Sequence, residues 1–380
     1  MSTERMWKVR YLRAWIAAVA VSVVAVTAAP APAAVAAVPA KFWGVVPQAT
    51  PSAEQFQRLK RGGVDSVRTP IGWGAIQPVQ GGPIEWSGVD SVVRGATSAG
   101  LEVLPFLSGA PGWAVAVDKR FGSPMTLPVK TGAQRAGWTS FVKQAIQRYG
   151  PHGTFWAENP GLPQRPIRTW QVWNEENFKY FVARPNPADY GKLVKLSYGA
   201  IKSVDPSAQI ILGGMFATPI EATFKKKPAQ AYFAGDFLNR MYRATPGIKS
   251  KFNGIALHPY TGRYQDLTPK IEEVRTALRN NGDAGKSLWI TELGWSSGPP
   301  SSDGSNSFAK GPAGQAKQLR GAFGLLERNR LQWKIARVYW FSVDDAKSAC
   351  NFCDGSGLFG PGFKPKKSWF EFVRFAGGTP

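Results

Sequence analysis

From Lys41 onward the chain alternates short apolar runs with longer stretches in which apolar residues recur every three to four positions. Residues 42–46, 64–70, 101–107, 167–173, 209–213, 254–258, 287–291 and 336–342 have the length and the β-branched and aromatic content of buried strands. Helical periodicity fills 52–61, 89–99 and 133–149, and each stretch stops at glycine (Gly62-Gly63, Gly100, Gly150), the residue suited to a left-handed cap. Asn186-Pro187 and Thr268-Pro269 pair a capping side chain with a proline of the first turn, predicting helices that run to Val204 and Asn280. A last helix is expected over 368–375. This alternation predicts an α/β fold, a (β/α)8 TIM barrel in a single domain over 41–380 with decorated loops after the strands. A doubly wound sheet fits less well, because no glycine-rich phosphate turn follows the first run, Phe42-Trp-Gly-Val-Val-Pro.

The first residues read differently. Arg5, Lys8, Arg10 and Arg13 precede an apolar run over 14–29, and Ala34-Val35-Ala36 offers small residues for cleavage. A secretory signal peptide over 1–36, cut near Ala36, is the expectation, since the run falls short of the roughly 18 residues of a membrane span. The mature protein is then secreted or extracellular, cell-wall association included, with no stable membrane partner.

Charge narrows the partners. The chain carries +22, and losing the leader removes four positive charges and Glu4, leaving +19. Such a field attracts anionic polymers, among them nucleic acid, acidic glycans and cell-wall phosphates. The lysines are scattered, however, apart from Phe224-Lys-Lys-Lys-Pro228 and Lys364-Pro-Lys-Lys367, and no nucleic-acid module is present, so no nucleic-acid partner is expected. Cys350 and Cys353, with only His152 and His258 beside them, fall short of a zinc set. In an exported chain the pair is expected to close a small disulfide. A monomer is expected, with no cofactor and no metal.

Two apolar runs end on acids: Trp170-Gln-Val-Trp-Asn174-Glu175 and Leu288-Trp-Ile-Thr-Glu292-Leu-Gly-Trp295. Burial there is costly unless the charge has a partner or a task. In a barrel, chemistry sits at the carboxyl ends of the strands, where Arg68, Asn174, Glu175, His258, Tyr260, Glu292 and Trp340 would gather. Trp73, Trp113 and Trp295 follow strand ends too and fit either ligand stacking or rim packing, with Trp73 and Trp295 favoured for stacking. Asp344 and Asp345 follow the eighth strand as substrate ligands or turn caps. If both strands belong to one barrel, the two acids converge on one mouth as a pair of catalytic carboxylates.

The segments Val67-Arg68, Trp173-Asn174-Glu175, His258-Pro-Tyr260, Thr291-Glu292-Leu-Gly-Trp295 and Tyr339-Trp340 make the chain resemble the clan A glycoside hydrolases, the four-over-seven (β/α)8 superfamily, nearest in motif to families 39 and 5. The resemblance implies a metal-independent retaining glycosidase acting on a polysaccharide or oligosaccharide, and the basic balance points to an anionic one. It implies Glu175 as acid/base, Glu292 as nucleophile, Asn174 on the sugar 2-hydroxyl, Arg68 and Tyr260 flanking the nucleophile, and Trp340 as the floor under the reacting sugar. Glu176 stands where many relatives have proline, which leaves two adjacent acids to choose between. A transglycosylase with the same residues and a noncatalytic carbohydrate or cell-wall binding barrel are the alternatives.

Overall fold

The computed structural model describes residues 38–217, 231–302, 306–345 and 353–380. In chain order the elements are β1 (Trp43–Val46), α1 (Ala53–Arg61), β2 (Ser66–Gly72), α2 (Trp73–Ile76), α3 (Ser87–Ser98), β3 (Glu102–Ser108), α4 (Gly132–Tyr149), α5 (Thr154–Glu158), β4 (Thr169–Val172) and α6 (Pro187–Val204). There follow β5 (Gln209–Phe216), α7 (Ala234–Ala244), β6 (Gly254–His258), α8 (Leu267–Asn280), β7 (Ser287–Leu293), α9 (Gly311–Arg328), β8 (Ile335–Phe341), β9 (Phe359–Gly360), β10 (Lys364–Pro365) and α10 (Lys367–Ala376). Strands β1 to β8 pair in sequence order, and parallel β1–β8 pairing closes the barrel. This is the (β/α)8 fold that the strand and helix periodicities predict. Among the described residues no helix is long and apolar enough to cross a membrane.

Local chemistry explains most boundaries. Ser52 and Gln55 form a reciprocal capping box at α1, as Thr131 and Gln134 do at α4. Asn186 accepts the Ala188 and Asp189 N–H groups at the start of α6, with Pro187 in its first turn. Gly63 and Gly100 take φ of +85° and +80°. Gly150 does not: its φ is −73°, and glycine is required there because a Cβ would lie 2.6 Å from the Ile146 carbonyl oxygen. Helix α8 begins at Leu267, one residue before the expected Thr268 cap, because a 3₁₀ turn over Tyr264–Asp266 feeds directly into it. Pro269 still falls in the first turn, where its missing N–H is harmless. Strand β2 starts at Ser66 rather than 64, since the Val64 N–H is taken by the Leu59 carbonyl at the end of α1.

Both faces of the barrel wall are buried. Outside, residues such as Val67, Trp170, Val172, Ile290, Val338 and Trp340 pack against the helices. Inside lies a separate cluster of Val46, Leu104, Ile211, Ala256, Trp289 and Tyr339. Below it, toward the amino ends of the strands, Glu102 pairs with Lys41 and, at 2.7 Å, with Arg337. Cys350 lies outside the described residues; Cys353 is buried in a 3₁₀ turn after the last barrel strand.

Candidate active site

Two local irregularities aim the acids. After β4 the backbone is left-handed at two residues other than glycine, Trp173 (φ +73°) and Glu175 (φ +44°). Each such residue costs on the order of 1–3 kcal/mol. The Glu175 N–H is held by the Gly214 carbonyl at 3.1 Å, and the twist sends Asn174 and Glu175 into the mouth while Glu176 turns behind the wall. On β7 the register slips: Ile290 pairs with Val338 but Leu293 with Trp340, so three steps on β7 match two on β8. Such a bulge re-aims side chains, and here consecutive Thr291 and Glu292 both reach groups in the mouth.

Arg68, fully buried on β2, organises the centre. Its Nη1 donates to Glu292 Oε1 at 2.6 Å, its Nε to Gln171 Oε1 at 2.9 Å and its Nη2 to Asn174 Oδ1, while its guanidinium lies 4.1 Å from the Phe106 ring centroid. Tyr260 donates to the other Glu292 oxygen at 2.9 Å. His258 Nδ1 lies 2.8 Å from Glu175 Oε1 and 3.5 Å from Glu292 Oε2, and its Nε2 lies 3.0 Å from the Thr291 hydroxyl. A proton on Nδ1 facing the carboxyls, with Nε2 accepting from Thr291, satisfies every partner. One oxygen of Glu175, one of Glu292 and a His258 ring nitrogen fall within 4.8 Å of one another. The side chains of Glu292 and Glu175 keep 12% and 9% exposure, enough to open on solvent, whereas Arg68 and His258 keep none.

This environment separates the two acids. Burial and then the charge of Glu292 push the Glu175 carboxyl well above the usual range, against the opposing pull of Arg68. Glu292 instead receives a guanidinium and a phenol. Burial, reinforced by Arg68, holds His258 neutral, and burial with the Glu292 charge keeps the Tyr260 hydroxyl protonated. Glu175, Glu292 and His258 also have the spacing of a metal ligand set. A divalent cation there would face the Arg68 guanidinium already bonded to Glu292, so the donor set does not suit one.

Other expected site residues fall elsewhere. Trp340 is fully buried on the outer face of β8, beside Phe323 and Trp295, with its Nε1 donating to the Ser356 carbonyl. The inward neighbour at the end of β8 is Phe341, partly exposed and edge-on to Tyr260 at 6.4 Å. Trp73 is fully buried, stacked on Phe141 and edge-on to Trp113 and Trp138. Trp295, 1% exposed, donates to the Thr261 carbonyl at 2.7 Å. These three tryptophans pack the wall and present no open face to a sugar. Asp345 binds Lys366 at 2.5 Å and accepts the Gly357 N–H, a turn-capping role, while Asp344 is half-buried beside it. Gln171 and Thr291, absent from the expected site, belong to it; a lone polar side chain inside each apolar run is the signal that could have found them.

The glycosyl hydrolase catalytic core family model matches residues 212–361. A probable glucan 1,3-beta-glucosidase A of Aspergillus niger is 42% identical over 60 residues, 15% of this chain and 14% of that protein. A family 39 glycoside hydrolase from Bacteroides cellulosilyticus WH2 superposes with a TM-score of 0.63 at 19% identity, over 88% of this chain and 63% of that one. A monomeric beta-xylosidase from Caulobacter crescentus CB15 gives 0.60 at 18% identity, over 89% and 68%. The chain thus spans only a small part of the curated relative it matches. Residues 212–361 thus match the glycosyl hydrolase catalytic core model, and the chain shares its eight-stranded parallel barrel with these solved glycoside hydrolases.

Proposed function

We propose that this protein is a secreted, retaining glycoside hydrolase that cleaves poly- or oligosaccharides by double displacement. The observation that carries the reading is the pair Glu175 and Glu292, whose oxygens lie within 4.8 Å in one mouth, one gripped by Arg68 and the other driven to keep its proton. Inverting enzymes separate their carboxyls by roughly 6.5 to 9.5 Å to admit a water, so the short separation favours direct attack. Glu292 attacks the anomeric carbon as the glycosidic oxygen departs with the proton of Glu175. The enzyme is then an ester at Glu292, the charge that raised the Glu175 pKa is gone, and the Glu175 carboxylate takes a proton from the water that releases the sugar. Asn174, whose carbonyl oxygen is turned to Arg68, has its amide N–H groups left to donate to a sugar hydroxyl. Phe341, rather than Trp340, supplies the aromatic surface from β8.

The names of the similar proteins, a glucan 1,3-beta-glucosidase and a beta-xylosidase, support a β-linked glycan, and the net charge, +22 for the chain and +19 without the leader, supports an acidic one. A leader cleaved near Ala36 and a Cys350–Cys353 disulfide complete the proposal, checked by amino-terminal sequencing of exported protein and by its mass change on reduction and alkylation. Reaction with a panel of 2-fluoro glycosides, followed by peptide mapping, tests the mechanism. Label on the peptide holding Glu292 is the expected result; turnover with no label on that peptide overturns it.

A further inference from the structure

Glu176 is an acid without a task in the mechanism above. It is fully buried, and among the described residues neither carboxyl oxygen has a partner in good hydrogen-bond geometry, although the Tyr190 hydroxyl and its own N–H act on it. Such a group is costly when charged and still unfavourable when neutral. Its surroundings are specific. The chain makes room for it at Gly213, the extra residue of a β5 bulge between Leu212 and Gly214, where any Cβ would stand 1.9 Å from Glu176 Oε2. Among the described residues the titratable groups that act on it are the adjacent Glu175 and Tyr190 of α6, whose hydroxyl donates to the Val172 carbonyl at 2.8 Å and accepts the Gly213 N–H at 2.7 Å. The Tyr190 hydroxyl therefore spans the seam between β4 and β5 where Glu176 is seated. On the other side of the same backbone, Gly214 holds the Glu175 N–H through its carbonyl and leaves space for the His258 ring, whose Nε2 would lie 2.0 Å from a Cβ there.

We propose that Glu176 is a positioning residue: a buried side chain wedged between the Gly213 bulge and Tyr190, which braces the left-handed turn so that Glu175 meets His258 and faces Glu292. Ordinary strand pairing does not fix this turn, because β4 ends at Val172. The wedge supplies the missing contact from behind. Glutamate's length suits the role and its charge does not, which is why burial holds the carboxyl up to about 8 and keeps it neutral through the neutral range. The inference rests on the proposed glycosidase reading for its kinetic consequence, and on geometry alone for its structural one.

The test compares Glu176→Gln, Glu176→Ala and Gly213→Ala in the full chain, each first shown to fold by circular dichroism. Turnover of an aryl glycoside accepted by the parent should fall about tenfold or more in Glu176→Ala with KM little changed, as misplaced catalytic groups do. Gly213→Ala should copy that loss by expelling the carboxyl, and Glu176→Gln should restore turnover. Azide should rescue Glu175→Ala and not Glu176→Ala. The chain has two histidines, so the imidazole ¹⁵N spectrum reports His258 without any need for activity. Its Nδ1 resonance should move in Glu176→Ala and stay in place in Glu176→Gln. A folded Glu176→Ala with the parental His258 signal overturns the proposal, whatever the enzyme does. Loss of turnover in Glu176→Gln equal to that in Glu176→Ala also overturns it, by making the ionisable proton itself essential. If no aryl glycoside is turned over by the parent, the glycosidase reading fails and the histidine signal alone decides the wedge.

Discussion

Among the described residues the barrel carries a charge cluster at each end, part-exposed at the amino end and buried at the carboxyl end, and the two are balanced differently. At the amino end Glu102 meets both Lys41 and Arg337; burial works against ionisation, yet the two cations hold the carboxyl below its ordinary value. At the carboxyl end two acids, Glu175 and Glu292, share one cation, Arg68, beside a histidine kept neutral. The first arrangement satisfies its charges and has nothing left to exchange. The second is one cation short, so one acid keeps a proton that it can give away. The difference separates a cluster that holds strands together from one with a proton to give, as the proposed reaction requires.

Removing the nucleophile should break the comparison most severely. Glu292→Gln is expected to lower turnover of an activated aryl glycoside by on the order of 10⁴-fold or more, measured at steady state, because the step has no substitute. Arg68→Met should lower kcat by about 10² to 10³-fold, since it deletes the preorganised cation that the described residues supply to the mouth. For Glu175 the expectation is a pH profile: with its pKa raised by burial and by Glu292, activity should fall as pH rises through that value. Glu175→Ala assisted by azide should lack this limb.

Glu176 sharpens the contrast through stability. Its pKa rises from 4.5 to about 8 on folding, so the native state binds the extra proton, and stability falls between those values and levels off above them. Glu176→Gln should therefore gain on the order of a few kcal/mol over the parent at pH 8 in urea unfolding, and little at pH 4. Glu102→Gln should do the opposite, and more weakly. The lowered pKa of Glu102 supplies stability above the unfolded value that is lost as pH falls through the folded one. The variant should lose about 1 kcal/mol at pH 7 with kcat intact.

Much of this was legible in the chain. The eight apolar runs and their glycine punctuation predict the barrel, and Glu175, Glu292, Arg68, His258 and Tyr260 stand where strand ends place them. What the sequence hides is which way a strand residue points. A parallel strand buried on both faces has no polar alternation to mark its inner side, so Tyr339-Trp340-Phe341 offers no sign that Phe341 faces in and Trp340 out. Bulges hide for the same reason: nothing in Leu288-Trp-Ile-Thr-Glu announces the extra step that aims Glu292, and Gly213-Gly214 reads as a weak strand rather than as room for two side chains on opposite faces. Trp73 and Trp295 carry the residue type of a sugar platform and the burial of a core.

The surplus acid in the mouth also shapes which inhibitors the protein should prefer. A sugar mimic with nitrogen in the ring or at the anomeric position can accept the proton of Glu175 and become an ammonium facing two carboxylates. Up close that cation supplies the charge that Arg68 alone does not balance. At long range the protein's net charge, +22 with the leader and +19 without it, repels the fraction of such a molecule that is already protonated in solution. Iminosugars should consequently arrive slowly and leave slowly, and added salt, by screening the approach more than the enclosed contact, should quicken their capture.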